Sequence, residues 1–166
     1  MRFVVIAFAD GPSLHKPFIP RVELSSMSEA YDQAVEQTRS AVASMGCAQL
    51  TTAEAVDSWA AGRPAVSIVF FNSLCGCAGA SARPALALVL AEERMEVVTV
   101  FAGVDREATQ RMRERFSAFP PSSPSFLLVR NGEGVELFER ERIVGRQPAD
   151  VARDLLERIR ANLQED

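Results

Sequence analysis

The sequence predicts an α/β chain in which a central mixed sheet is flanked by helices, with an extra helix and an arm at the amino terminus. Three observations carry that expectation. Ala65-Val66-Ser67-Ile68-Val69-Phe70-Phe71 and Glu96-Val97-Val98-Thr99-Val100-Phe101 are apolar runs rich in β-branched and aromatic residues, as strands buried on both faces require. Each is followed by a segment of helical character, which is how parallel strands are joined. Asn131-Gly132-Glu133-Gly134 then separates two further strand-like segments with a strong hairpin signal, so an antiparallel pair completes the sheet.

With 166 residues, 48% of them hydrophobic, the chain is long enough for one well-buried core and short for two. We expect an arm or extra strand over residues 1–24 and one domain over 25–166. A formal net charge of −4 and dispersed arginines argue against a nucleic-acid partner, which would require clustered basic residues. Three cysteines are few and odd in number, unlike a secreted scaffold stapled by disulfides, and point to a reducing compartment, the cytoplasm. No stretch approaches the ~20 apolar residues of a spanning helix, so no membrane partner is expected. Met1 to Ala9 carries one Arg and an Ala7-Phe8-Ala9 triplet but falls short of a secretory signal of roughly 15–30 residues. The pattern leaves the oligomeric state open.

Taken in order, Pro12, Pro17 and Pro20 break regular structure before Arg21, and His15, the only histidine, falls in this arm. Ser26-Met27-Ser28-Glu29 is a capping-box pattern that predicts a helix to about Met45, with Ala34, Val35, Thr38, Val42 and Met45 on its apolar stripe and Gly46 as its stop. Cys47-Ala48-Gln49-Leu50 is a short strand, with Cys47 a packing residue. Thr51-Thr52-Ala53-Glu54 caps a second helix through Val56 and Trp59 to Gly62. After the strand at 65–71, a helix from Cys75 to about Glu92 should be kinked by Pro84, because proline costs about 3 kcal/mol in a helix interior. Asp105 caps a helix to about Phe116, and Phe119-Pro120-Pro121-Ser122-Ser123-Pro124-Ser125 is a rigid loop. Phe126 to Arg130 and Val135 to Arg140 form the hairpin, the second strand alternating apolar and charged residues as an edge strand does. Pro148 opens a last helix that buries Val151, Leu155, Leu156, Ile159 and Leu163.

The chemistry lies at Phe71-Asn72-Ser73-Leu74-Cys75-Gly76-Cys77-Ala78, where the most apolar strand meets a helix start. A cysteine in the first turn feels unpaired N–H groups and the positive end of the helix dipole, both favouring thiolate. A second thiol two residues away can attack a mixed disulfide formed at the first. Residue types alone remain compatible with packing, with redox work, or with a metal or iron–sulfur module using Cys75 and Cys77 across a dimer. A disulfide closing so small a ring removes only about 1.6 kcal/mol of unfolded-state chain entropy, which makes it a poor staple. If strained, it is also a fairly oxidising couple. Gly76 suits the need for a small linker between the sulfurs.

The element order βαβαβαββα after the first helix resembles the thioredoxin fold, and three stretches together resemble the bacilliredoxins, thioredoxin-like proteins with a Cys-Gly-Cys centre. They are Asn72 to Ala78 followed by Ala82-Arg83-Pro84-Ala85, Val98 to Gly103 with Asp105, and Pro120 to Ser125, joined by Glu139-Arg140 and Gly145-Arg146. The likeness spans residues 25–163 and departs at residues 1–20, Cys47 and Gln147. It implies a thiol–disulfide oxidoreductase that removes a low-molecular-weight thiol, bacillithiol, from protein mixed disulfides, with disulfide isomerase activity as well and no cofactor. Carried over, Cys75 attacks and Cys77 resolves. Pro124 takes the place of the family's cis-proline, with Ser123 offering its backbone to an extended substrate. Arg83 either lends positive field to the thiolates or holds a ligand carboxylate, unless it is a solvated helix arginine.

Overall fold

The computed structural model describes residues 21–62 and 64–164, so the arm up to Pro20, with His15, lies outside the described residues. Five strands form one sheet: β1 (Ala48–Gln49), β2 (Val66–Asn72), β3 (Glu96–Phe101), β4 (Ser125–Arg130) and β5 (Glu133–Phe138), in the spatial order β1-β3-β2-β4-β5. β1, β3 and β2 run parallel, whereas β4 pairs antiparallel with both β2 and β5. The strand between β3 and β4 is therefore the apolar run 66–72, covered on both faces as its composition requires.

Alternate residues of β2 enter two different cores. Ile68 and Phe70 face one that also holds Phe126, Phe138 and the apolar stripes of α3 (Arg83–Glu92) and α5 (Pro148–Gln164), with Leu86, Val89, Val151, Leu155 and Ile159 almost wholly buried. Phe70 and Phe126 stack there with ring centroids 4.8 Å apart. Val69 and Phe71 face the other, built with α2 (Ala53–Ala61) and α4 (Arg106–Arg115) through Val56, Ala108 and Met112. The period-two alternation of a strand is what feeds both layers from one run of seven residues.

Several boundaries differ from the local expectations. The first helix, α1 (Arg21–Ser44), includes residues before the capping pattern around Ser26 rather than starting at it. Nothing in Val22-Glu23-Leu24 opposes a helix, so Ser26 and Glu29 lie within it. The cap of α2 is Thr52, whose Oγ1 accepts the Ala55 N–H at 3.2 Å. Asp105 precedes α4 but makes no side-chain cap, because its carboxylate receives both Nη1 and Nη2 of Arg39 at 3.1 and 2.6 Å. That pair fastens α1 to the rest of the chain. Asn131 (φ 53°) and Gly132 (φ 79°) form the expected tight hairpin, both in the left-handed region that suits the twist of the flanking strands.

β5 ends at Phe138, two residues earlier than its alternating pattern suggests, and Arg140–Arg142 form a 3₁₀ turn. The Arg140 N–H donates to Ser122 Oγ at 2.9 Å, and the Arg142 guanidinium lies 4.1 Å from the Phe138 ring centroid. Gly134 matters to the loop before β4: a Cβ there would stand 2.7 Å from Phe119 Cε2, so only glycine lets Phe119 seat itself and anchor the prolines that follow.

Candidate active site

The site is assembled where β2 gives way to a helix. Asn72 is buried at the end of the strand, and its Oδ1 accepts the Ser73 N–H at 2.9 Å and Arg83 Nη1 at 3.1 Å. Arg83 Nη1 also donates to Ser73 O at 3.0 Å. Gly79 leaves the room for this, since a Cβ there would lie 2.9 Å from Arg83 Nη2. Arg83 thus clamps the turn that delivers Cys75, and burial lowers its pKa while the nearby Cys75 charge raises it.

Cys75 O accepts the first helical hydrogen bonds, from the Ala78 N–H at 3.0 Å and the Gly79 N–H at 3.3 Å. The residue therefore stands at the helix cap, where its sulfur also meets the Ala78 N–H. Cys75 Sγ lies 2.7 Å from Cys77 Sγ, 3.2 Å from Ser73 Oγ and 3.7 Å from Arg140 Nη1. Burial, the largest single influence on this thiol, opposes its ionisation. Donors from Cys77, Ser73, the Ala78 N–H and Arg140 outweigh it and bring the pKa down to about 7. Cys77 moves the other way, raised by burial and by the Cys75 sulfur beside it. The two thiols are thus driven apart, Cys75 toward the thiolate and Cys77 toward the thiol.

Beyond Cys77 the helix widens into a single π turn, Ala78–Ala82, before α3 begins. The Arg83 N–H reaches back to Ala78 O, and the wide turn lies immediately before Pro84, which has no N–H to give. The expected disturbance at Pro84 takes this form. Ser81, inside the turn, donates to Arg146 O at 2.8 Å, tying the helix start to the segment after the 3₁₀ turn.

Opposite the thiols, the register Phe71↔Ser125 sets Pro124 level with Asn72, and the Ser123–Pro124 peptide is cis. Ser123 O accepts Arg140 Nη1 at 2.8 Å, so one guanidinium nitrogen spans the cysteine and the proline loop. Ser122 supports the same loop from within, its carbonyl accepting Ser125 Oγ at 2.8 Å.

Residues 31–162 match the disulphide isomerase family. The chain is 44% identical over 136 residues to a bacilliredoxin of Bacillus cereus, covering 81% of this chain and 94% of that protein. It is 47% identical over 123 residues to one of Staphylococcus aureus, covering 73% and 84%. The chain belongs to the bacilliredoxin family. As a bacilliredoxin it is a thiol–disulfide oxidoreductase. Its fold agrees with a solved structure described as having a thioredoxin fold, at TM-score 0.53 and 16% identity over 64% of this chain and 91% of the other. A redox protein from Chlamydomonas reinhardtii agrees at TM-score 0.50 and 20% identity, over 72% and 36%.

Of the site residues expected from this bacilliredoxin's sequence, Cys75, Cys77, Asn72, Arg83, Ser123 and Pro124 converge on one end of β2 and β4. Gly76 is exposed, and a Cβ there would meet nothing within 4 Å, so the closeness of the sulfurs does not depend on room at that position. Ser123 is present, but its carbonyl is already bonded. Cys47 is buried far along the chain's first core, its thiol pushed up to about 11 by burial. Ser73 and Arg140 were not legible as thiolate donors: the first is two residues from its partner in a loop, the second sixty-five. The dipeptide Glu139-Arg140 was a signal, but the alternating pattern placed it on a strand. Among the described residues no group of three or more His, Cys, Asp or Glu side chains is arranged to hold a metal ion.

Proposed function

We propose that the protein removes a low-molecular-weight thiol, bacillithiol or a close analogue, from protein mixed disulfides in the cytoplasm, with disulfide isomerisation as a related activity. The observation that supports this most is the unequal pair: a nucleophilic Cys75 at about 7 with a protonated Cys77 2.7 Å away. Cys75 thiolate attacks the small thiol's sulfur, a Cys75–S–S–R bond forms, and the client leaves as its thiolate. Cys77 then attacks Cys75 Sγ, releasing RS⁻ and leaving an intramolecular disulfide. Two external thiols, or one dithiol, then reduce this disulfide by successive exchange and leave as their own disulfide, restoring the Cys75–Cys77 thiol pair.

Asn72, Arg83, Ser123 and Pro124 shape the site in this scheme, and Gly76 leaves its outer side open. A Cys77→Ser protein, given a client blocked with a small thiol, should gain the mass of that thiol on Cys75 as the client is freed. A client that stays blocked while Cys75 carries no adduct would overturn the mechanism.

A further inference from the structure

The two-step exchange asks Cys77 for two opposite states. It stays a thiol while Cys75 is the thiolate, because burial and the sulfur 2.7 Å away both raise its pKa. To attack Cys75 Sγ it must become a thiolate itself. Of the charged groups that bear on Cys77, Cys75 opposes its ionisation and Arg140 favours it, so the help comes from a cation rather than a base. Arg140 is held in place to give it. Its N–H donates to Ser122 Oγ at 2.9 Å, and its carbonyl accepts the Ile143 and Val144 N–H groups at 2.9 and 3.0 Å. Nη1 lies 3.7 Å from Cys75 Sγ and donates to Ser123 O at 2.8 Å, which keeps the guanidinium beside the sulfur pair whichever sulfur bears the charge. Among the described residues no carboxylate pairs with Arg140, the flanking Glu139 and Glu141 included. The other cations near the site are engaged: Arg83 directs Nη1 to Asn72 Oδ1 and Ser73 O, and Arg146 pairs with Asp154.

Transfer of the small thiol makes the Cys75–S–S–R bond and sends the negative charge off on the client thiolate. The charge that held Cys77 as a thiol is then gone, and the guanidinium is left beside the pair without its counter-charge. We propose that Arg140 serves both cysteines in turn, holding the Cys75 thiolate for the first attack and drawing Cys77 into its thiolate for the second. Cys77 gives its proton to water and its sulfur attacks Cys75 Sγ. The bond from Cys75 Sγ to the sulfur of R breaks, and RS⁻ leaves with the electron pair. This rests on the reading that a small thiol is transferred to Cys75 and that Cys77 removes it.

The test uses the Cys75→Ser protein, in which position 75 is uncharged as it is in the mixed disulfide, and follows iodoacetamide labelling of Cys77 against pH by peptide mapping. Adding Arg140→Gln should move the midpoint up by about one unit, a tenfold loss of thiolate below it, whereas Arg140→Lys should keep most of the original value. In the protein with both cysteines, bis(2-hydroxyethyl) disulfide serves as an uncharged donor, and acid-quenched samples are weighed by mass spectrometry. The Cys75 adduct should decay about tenfold more slowly in Arg140→Gln near pH 7, and the difference should shrink as pH rises past the Cys77 midpoint. A midpoint unmoved by Arg140→Gln, equal shifts in the Lys and Gln variants, or a slowing that is the same at every pH would overturn the proposal. If no adduct forms, or if it decays as fast in Cys77→Ser, the transfer-and-resolution reading fails, and the Cys77 midpoint still decides the role of Arg140.

Discussion

At the scale of single residues, hydrogen bonding rather than a buried base lowers the pKa of one of two similar thiols. Cys75 holds its charge against burial because four donors converge on it, while Cys77 contributes one of them and is thereby kept protonated. Ionisation of Cys75 exposes the reactive form as pH rises, so its iodoacetamide rate should climb to half-maximum near pH 7, below the ~8.5 of a free cysteine. Ser73→Ala removes one donor to the charged form and should move that midpoint up by about half to one unit. A midpoint unmoved by the substitution would leave Ser73 without a role. Cys47 should resist the reagent until the chain unfolds, as peptide mapping of the alkylated protein would show.

At the scale of elements, most helices and strands follow from local pattern, because apolar periodicity and proline are short-range signals. Two of the exceptions share one cause: a distant partner overrides a local preference. Asp105 has the sequence position of a helix cap, yet Arg39, sixty-six residues earlier, takes its carboxylate. Arg140 has the alternation of a strand residue, yet Ser122 Oγ and Ser123 O turn it inward at the end of β5. The capping box at Ser26 is a separate, local case: Arg21 to Leu24 are already helical, so the box lies inside α1. The Arg39–Asp105 pair is partly buried, with side chains 23% and 10% exposed, so removing either partner should cost about 1–3 kcal/mol in urea unfolding. In a double-mutant cycle, losing both should cost clearly less than the two single losses added together. Additive losses would show that the pair does not hold α1 in place.

At the scale of the whole molecule, the reduced state is favoured from two sides. The thiolate is stabilised by fixed donors, and the disulfide that would replace it closes too small a ring to stabilise the fold by chain entropy. The reduction potential should therefore lie above the about −270 mV of thioredoxin, measurable by equilibration in glutathione buffers. A value at or below it would contradict this. The thiols were legible because the central strand and the Cys-Gly-Cys segment are contiguous. The loop facing them was legible because Pro124 directly precedes a core strand. What joins the two halves is a single side chain from a third place in the chain, which no contiguous pattern encodes. The π turn has a consequence of a different kind. A π turn holds one residue more than an α turn, about 100° of rotation around the helix axis. Ala85, Leu86 and Val89 set the azimuth of α3 against the core, whereas Cys75 and Cys77 lie on the far side of the extra residue and take theirs independently. Deleting one residue from 78–82 would shift the two sulfurs around the helix axis relative to the Pro124 loop, and would also disturb Ala78, Ser81 or Ala82, which are buried in this turn. The length of that turn sets where the Cys75–Cys77 segment sits around the helix axis, while Gly79 and Ser81 within it admit Arg83 and hold Arg146 O.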